Sequence, residues 1–188
     1  MFINIPNIII LTETWLVNKI SNQELNLPNY LIYRSDRVSN SNNSNINEAT
    51  DAVDVRGGGV LIAVDRSFHS SNIAAHLIPP ASRDLEQLFI KVSFNKTKCI
   101  FGSIYIPPNS SCEVYQKHID CMENISKFYI DHDFYIFGDF NLRKISWGFD
   151  HGLQYSFQEG SSAAAQQAAS LIGNFYSMLN LKQFYPTR

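Results

Sequence analysis

Three segments of the chain place polar side chains at the ends of short apolar runs, where a predicted sheet would present them at its rim. Gly138-Asp139-Phe140-Asn141 follows one such run and offers a carboxylate and a carboxamide. Glu13 directly follows another run, and Tyr105 stands two residues before Pro107, which ends a strand because proline lacks an N–H. Carboxylates act as general acids or bases and a phenol can hydrogen-bond an anion, so these side chains are candidates for a catalytic site.

Each segment taken alone also has a purely structural explanation. Gly, Asp and Asn are common turn residues for backbone reasons, so Gly138-Asp139-Phe140-Asn141 is also typical of a turn. Thr12 or Thr14 could cap a short helix, with Glu13 near the positive end of its dipole. Tyr105 could be an ordinary half-buried tyrosine at the end of a strand. The separate segments leave these alternatives open.

The elements that must position these side chains are predicted from hydrophobic periodicity. Short runs rich in β-branched and aromatic residues, bounded by Asn, Gly, Pro or Ser, predict strands. Two longer segments have apolar residues at helical spacing and predict helices. The predicted strands are 8–11, 30–33, 60–64, 88–92, 99–106 and 134–137, and the predicted helices are 113–129 and 163–181. This order predicts a layered α/β or α+β domain.

Length and composition favour a single globular domain. The chain has 188 residues, of which 45% are hydrophobic, enough for one buried core. Its formal net charge of -2 gives no argument for nucleic-acid binding from overall basicity, so any contact with DNA would depend on local geometry. The three cysteines form neither an even set nor a CxxC pair, which favours reduced thiols in an intracellular protein.

Two further features concern the course of the chain. The Asn/Ser-rich segment at 38–55 cannot bury enough apolar surface to offset its ordering entropy, so we expect a flexible insert loop within the domain. No apolar run approaches the roughly 20 residues of a membrane span, and neither a targeting signal nor a membrane partner is expected.

The three candidate segments, in this order along the chain, together resemble the endonuclease/exonuclease/phosphatase superfamily. The sequence is most similar to the endonuclease domain of non-LTR retrotransposon reverse transcriptases, and the resemblance covers nearly the whole chain. The segments that carry it are 9–16 around Thr12-Glu13-Thr14-Trp15, 33–37, 56–62 with its three glycines, Leu85-Glu86, Tyr105-Ile106-Pro107-Pro108, Gly138-Asp139-Phe140-Asn141 with Trp147, and Pro186-Thr187-Arg188.

This resemblance implies a DNase-like four-layer α/β/β/α sandwich with its site where both sheets present their strand-end loops. It also implies hydrolysis of a phosphodiester with Mg²⁺, or with Mn²⁺. By this resemblance Glu13 binds the metal, Asp139 orients or deprotonates the attacking water, Asn141 fixes the geometry of that group, and Tyr105 hydrogen-bonds the phosphate. The implied partners are DNA and a reverse transcriptase domain in cis, and the implied location of the intact element is the nucleus.

The sequence departs from the family at both ends. The family's Asn-bearing first strand and its closing Ser-Asp-His have no counterpart, so no residue matches the catalytic histidine. Asp131-His132 and Asp150-His151 stand at other positions in the domain, and we expect them, like His69, His76 and His118, in loops or on the surface. We therefore expect residues 1–188 to form one truncated domain with exposed sheet edges, marginal stability and weak nicking.

Basic and glycine-rich segments suggest other contacts. Arg56-Gly57-Gly58-Gly59 lacks a following Gly-Lys-Ser/Thr and precedes a strand, so it predicts a close turn rather than a phosphate loop. Arg34, Arg37 and Arg143 are candidate phosphate contacts, although scattered arginines are also typical of a solvated surface.

The favoured function is a Mg²⁺-dependent endonuclease domain of a non-LTR retrotransposon, which nicks DNA for target-primed reverse transcription and is impaired in this fragment. One alternative is a non-catalytic remnant of a decayed element that binds at most DNA or protein. Another is a phosphodiesterase or phosphatase of the same fold. Thr12-Glu13-Thr14-Trp15-Leu16 and Tyr105-Ile106-Pro107-Pro108 favour the retrotransposon branch over the phosphatases.

Overall fold

The computed structural model describes residues 6–37, 57–80, 82–148, 154–179 and 181. The predicted insert loop at 38–55 and the pair Asp150-His151 lie outside these residues. The strands are β1 (Ile8–Thr12), β2 (Tyr30–Ser35), β3 (Val60–Asp65), β4 (His69–Asn72), β5 (Glu86–Phe94), β6 (Thr97–Tyr105), β7 (Asp133–Asp139), β8 (Ile145–Gly148) and β9 (Gln154–Phe157). The helices are α1 (Cys112–Phe128) and α2 (Ala163–Met178), with short 3-10 turns at Asn22–Leu25 and Ala75–Leu77.

The chain divides into two compact units. The first comprises Met1–Tyr105 and Asp131–Asp139, and the second comprises Ile106–Ile130 and Phe140–Arg188. Strands β1 to β7 belong to the first unit, and β8, β9 and both helices belong to the second. The prediction of a single truncated domain stays a prediction.

The first unit contains two sheets. One has the order β1-β3-β2, and both of its pairings are antiparallel. The other has the order β4-β5-β6-β7, in which β6 and β7 are parallel. Parallel neighbours need a crossover connection, and α1 lies in the chain between them.

The core of the first unit lies between these two sheets. Side chains alternate between the two faces of β3, so Val60, Ile62 and Val64 face the second sheet while Leu61 and Ala63 pack with a separate cluster around Tyr30. The second sheet contributes the buried side chains Leu88, Ile90, Val92, Cys99, Phe101 and Tyr105 to the shared core. All the side chains of β3 from Val60 to Val64 are therefore buried, as expected of a central strand.

The second unit packs its two helices together and pairs β8 with β9 as an antiparallel ribbon. The two helices are joined by a buried hydrogen bond of 2.8 Å between His118 Nε2 on α1 and the Tyr176 hydroxyl on α2. Helix α2 begins after Ser162, whose hydroxyl accepts from the Ala165 N–H.

These elements confirm the predicted fold class of mixed α/β structure with several sheets and two helices. All six predicted strands and both predicted helices are present, with ends within a few residues of those expected. The additional strands β4, β8 and β9 were not predicted. Among the described residues, no helix is long and apolar enough to cross a membrane.

Candidate active site

Glu13 stands at the rim of the first unit, one residue beyond β1. Its φ of 52° is left-handed, and its side chain is exposed. The chain after it is fixed by two backbone bonds, from Thr14 N–H to Gly59 O at 3.2 Å and from Trp15 N–H to Gly58 O at 2.9 Å. No helix follows, since the next helical turn begins at Asn22, so the helix-capping alternative for Glu13 is wrong.

Tyr105 is the last residue of β6 and is only 5% exposed. It is therefore more deeply buried than the half-buried tyrosine of the structural alternative. Its side chain hydrogen-bonds that of Glu13, and because the phenol carries the proton, it donates to the carboxylate. Burial, and then this hydrogen bond, raise the pKa of Tyr105 to about 12, so the phenol keeps its proton at neutral pH.

Asp139 is the last residue of β7 and is the parallel register partner of Tyr105. Neighbouring strands lie about 4.8 Å apart, so the backbones of Asp139 and Tyr105 are adjacent at the same sheet edge. Asp139 is exposed and ends a strand rather than forming a turn. Gly138 is needed before it, because a Cβ there would collide with the backbone of Ile104 on β6.

Arg37 and Glu86 complete this cluster, and sequence reasoning assigned no catalytic role to either. Arg37 Nε donates to Glu86 Oε1 at 2.5 Å, and the Gly59 N–H donates to the other oxygen of the carboxylate. The Arg37 guanidinium lies 5.7 Å from the centroid of the Tyr105 ring and also hydrogen-bonds Tyr105. Three segments that carried the sequence resemblance thus meet at one place, through Arg37, Gly59 and Glu86.

The close packing of this cluster explains why positions 58 and 59 are glycines. Gly58 has φ +77°, and a Cβ on it would overlap the Arg37 guanidinium. Gly59 has φ +86°, and a Cβ on it would press on the Thr14 hydroxyl. The close turn predicted from the sequence is therefore present, and it lets the backbone lie against a buried cation.

The three arginines considered as phosphate contacts have different surroundings in the structure. Arg34 pairs with Asp36 at 2.7 Å and also donates to Val17 O, so it supports the loop rather than a solvated surface. Arg37 is engaged by Glu86 and Tyr105. Arg143 is exposed.

Asn141 lies in the second unit and has a φ of 49°. Its Nδ2 donates to Ile106 O at 3.0 Å, and the neighbouring Phe140 O accepts from the Tyr115 hydroxyl at 2.7 Å. These bonds fix the loop that follows β7. The role that the resemblance implies for Asn141 stays a prediction.

The histidine expectations are partly corrected. His118 is fully buried rather than on the surface, because it shares the apolar face of α1 with Val114 and Met122, each four residues away. His132 is partly buried, and His69 and His76 are exposed.

The fit of a divalent cation depends on the oxygen donors of the first unit. Within the described residues, no group of three or more His, Cys, Asp or Glu side chains is arranged to hold a metal. Glu13 nevertheless offers an exposed carboxylate, and Mg²⁺ is commonly held by one or two carboxylates, several waters and the substrate's phosphate oxygens. The residues present fit a cation held in this partly hydrated way.

No family model matches the chain, and no curated protein matches it. Among solved structures, the chain is similar to the endonuclease domain of TRAS1, a telomere-specific non-LTR retrotransposon, with 11% identity, a TM-score of 0.44, and coverage of 77% of this chain and 52% of that one. It is also similar to D. rerio TDP2 complexed with a single-strand DNA product, with 18% identity, a TM-score of 0.47, and coverage of 73% and 49%.

A third similar structure is the human Nocturnin catalytic domain with a bound sulfate anion, with 12% identity, a TM-score of 0.46, and coverage of 72% and 52%. The chain thus spans about half the length of the structures it matches.

Proposed function

We propose that this chain is the phosphodiester-hydrolysing part of a metal-dependent endonuclease domain. The observation that carries the proposal is the cluster in which the neutral Tyr105 phenol donates to Glu13 at the edge where Asp139 ends β7. A hydrogen-bond donor, an exposed carboxylate suited to a hard cation and a second exposed carboxylate are the groups that water attack on a phosphodiester requires.

Each side chain has a distinct part in this proposal. Mg²⁺, when bound at Glu13, supplies charge that stabilises the phosphoryl oxygens. Without substrate, the Tyr105 hydroxyl donates a hydrogen bond to Glu13 and keeps its proton. When DNA is bound, the same hydroxyl can donate a hydrogen bond to a phosphate oxygen. Asp139 accepts a hydrogen bond from water and so orients it, or takes its proton.

The biological setting that we propose is a non-LTR retrotransposon. In that setting the substrate is chromosomal DNA, the reverse transcriptase lies in cis, and the nick supplies its primer in the nucleus. The sequence segments Thr12-Glu13-Thr14-Trp15 and Tyr105-Ile106-Pro107-Pro108 support this choice.

The test is nicking of supercoiled plasmid by the full chain with Mg²⁺, with Mn²⁺ and with EDTA. We expect metal-dependent nicking that falls on the order of a hundredfold in Asp139→Asn, since that change removes the water-orienting carboxylate while keeping the size of the side chain. Asp131→Asn is the matched control, because Asp131 is an exposed acid in the turn before β7.

The other outcomes distinguish the alternatives. Nicking that is equal in Asp139→Asn and Asp131→Asn would contradict the assigned site. DNA binding without hydrolysis would favour the non-catalytic remnant. Faster hydrolysis of p-nitrophenyl phosphate than of bis(p-nitrophenyl) phosphate would favour a phosphatase.

A further inference from the structure

Trp15 combines two unusual properties. Its side chain is 59% exposed, although tryptophan is mostly buried in folded proteins. Its backbone has φ 55°, a left-handed conformation that is a genuine outlier for a bulky residue. A strained backbone that presents a large apolar ring to solvent calls for a functional explanation.

The conformation of Trp15 is imposed by neighbours that belong to the candidate active site. Its N–H donates to Gly58 O, and the N–H of Thr14 donates to Gly59 O. Gly59 in turn donates to Glu86, which holds Arg37. The backbone that carries the ring is therefore hydrogen-bonded to the same turn that holds Glu86 and, through it, Arg37 beside Tyr105.

Trp15 is also close to the proposed metal ligand. Two residues of chain span at most about 7 Å, so the backbone of Trp15 is within that distance of Glu13. One nucleotide of an extended strand covers a similar length. An aromatic side chain at this distance from a bound phosphate is placed to meet the adjoining base.

We propose that Trp15 is a stacking platform for a nucleobase next to the phosphodiester bound at Glu13 and Tyr105. The inference rests on the proposed function, since it takes DNA as the ligand. Base stacking on an aromatic ring needs no net positive charge and tolerates any base sequence. It would thus help a chain with a net charge of -2 to hold a nucleic acid.

The experiment uses the chain's two tryptophans separately. In Trp147→Phe, Trp15 is the single fluorophore, and in Trp15→Phe the fluorophore is Trp147, which packs on Tyr155 in the second unit. The probes are an eight-nucleotide single-stranded DNA and an abasic sugar-phosphate oligomer of the same length, both added with Ca²⁺, a hard cation that the Glu13 carboxylate can bind. Affinities of wild type, Trp15→Ala and Trp15→Phe are measured by anisotropy of labelled probes.

We expect the base-bearing oligomer, but not the abasic one, to quench Trp15 in the Trp147→Phe protein. Trp15→Ala should weaken binding of the base-bearing oligomer on the order of tenfold, and Trp15→Phe should retain most of the affinity. The abasic oligomer should bind wild type and Trp15→Ala equally. Equal urea denaturation midpoints of wild type and Trp15→Ala, together with the unchanged binding of the abasic oligomer, would show that the first unit is still folded.

Equal losses for both oligomers, no loss in Trp15→Ala, or no binding of either oligomer by wild type would overturn the inference. Its failure is distinct from that of the proposed function. Metal-dependent nicking without base-dependent quenching would remove the stacking role alone. Base-dependent quenching without nicking would support the stacking role and count against hydrolysis.

Discussion

Glu86 joins two segments that are far apart in sequence. One oxygen of its carboxylate accepts from Arg37 and the other from the Gly59 N–H, and its side chain is 1% exposed. The sequence proposes Glu13, Tyr105 and Asp139 as site residues because each follows or ends an apolar run. It did not identify the Arg37–Glu86 pair, since such a contact depends on how strands separated by about fifty residues are arranged.

Loss of the Glu86 charge is predicted to destabilise the first unit strongly. In Glu86→Gln, Arg37 becomes a largely buried cation without a counterion, and we expect the free energy of unfolding to fall by about 3–5 kcal/mol in urea denaturation. The control is Glu113→Gln, which breaks an exposed pair with Lys117 on α1 and should cost about 0.3–0.5 kcal/mol. Similar losses in the two variants would contradict a structural role for the buried pair.

At the scale of elements, the strands and helices with clear periodicity were predictable and the polar ones were not. Strand β4 has the sequence His69-Ser70-Ser71-Asn72, which carries no apolar alternation, and it forms because β5 offers it a pairing edge. His118 lies in a helix that was predictable, but its burial was not predicted. Its spacing from Val114 and Met122 places it on the buried face of α1, although its residue type favours the surface.

Burial of His118 predicts acid sensitivity of the α1–α2 pair. Burial lowers the pKa of His118 to about 3, below its ordinary value of 6.5, so the folded state holds the neutral ring. Its contribution to stability is complete above pH 6.5 and is lost as the pH falls from 6.5 towards 3. His118→Gln, which cannot titrate, should flatten the dependence of unfolding free energy on pH between 7.5 and about 4.

Urea denaturation of the variant at several pH values measures this effect. His69→Gln on exposed β4 is the matched control and should leave the dependence as it is in wild type. The prediction fails if His118→Gln and wild type lose stability in parallel as the solution is acidified.

At the scale of the molecule, the described sheets of the first unit have four edge strands, β1, β2, β4 and β7. Of these, β1 and β7 carry the exposed large apolar side chains Leu11, Tyr135 and Phe137. Such edges invite pairing with another chain.

We therefore predict self-association through β7, which a single substitution that adds a charge to this strand can test. Phe137→Lys places a cation on the exposed edge and should lower light scattering of the concentrated protein on warming. Phe157→Lys is the control, because Phe157 is 44% exposed, close to the 46% of Phe137, but lies on β9 in the second unit. An equal reduction by both variants would show that net charge, rather than the β7 edge, controls association.

The contact between Gly58 and Arg37 has a consequence for how this sequence can evolve. A side chain at position 58 would occupy the space of the guanidinium, so its cost depends on which residue stands at 37. The two positions are thus epistatic: part of the penalty of Gly58→Ala should disappear in a background that already lacks the arginine, and only the left-handed φ would still oppose it. Lineages that lose Arg37 should therefore tolerate substitution of Gly58 better than lineages that keep it.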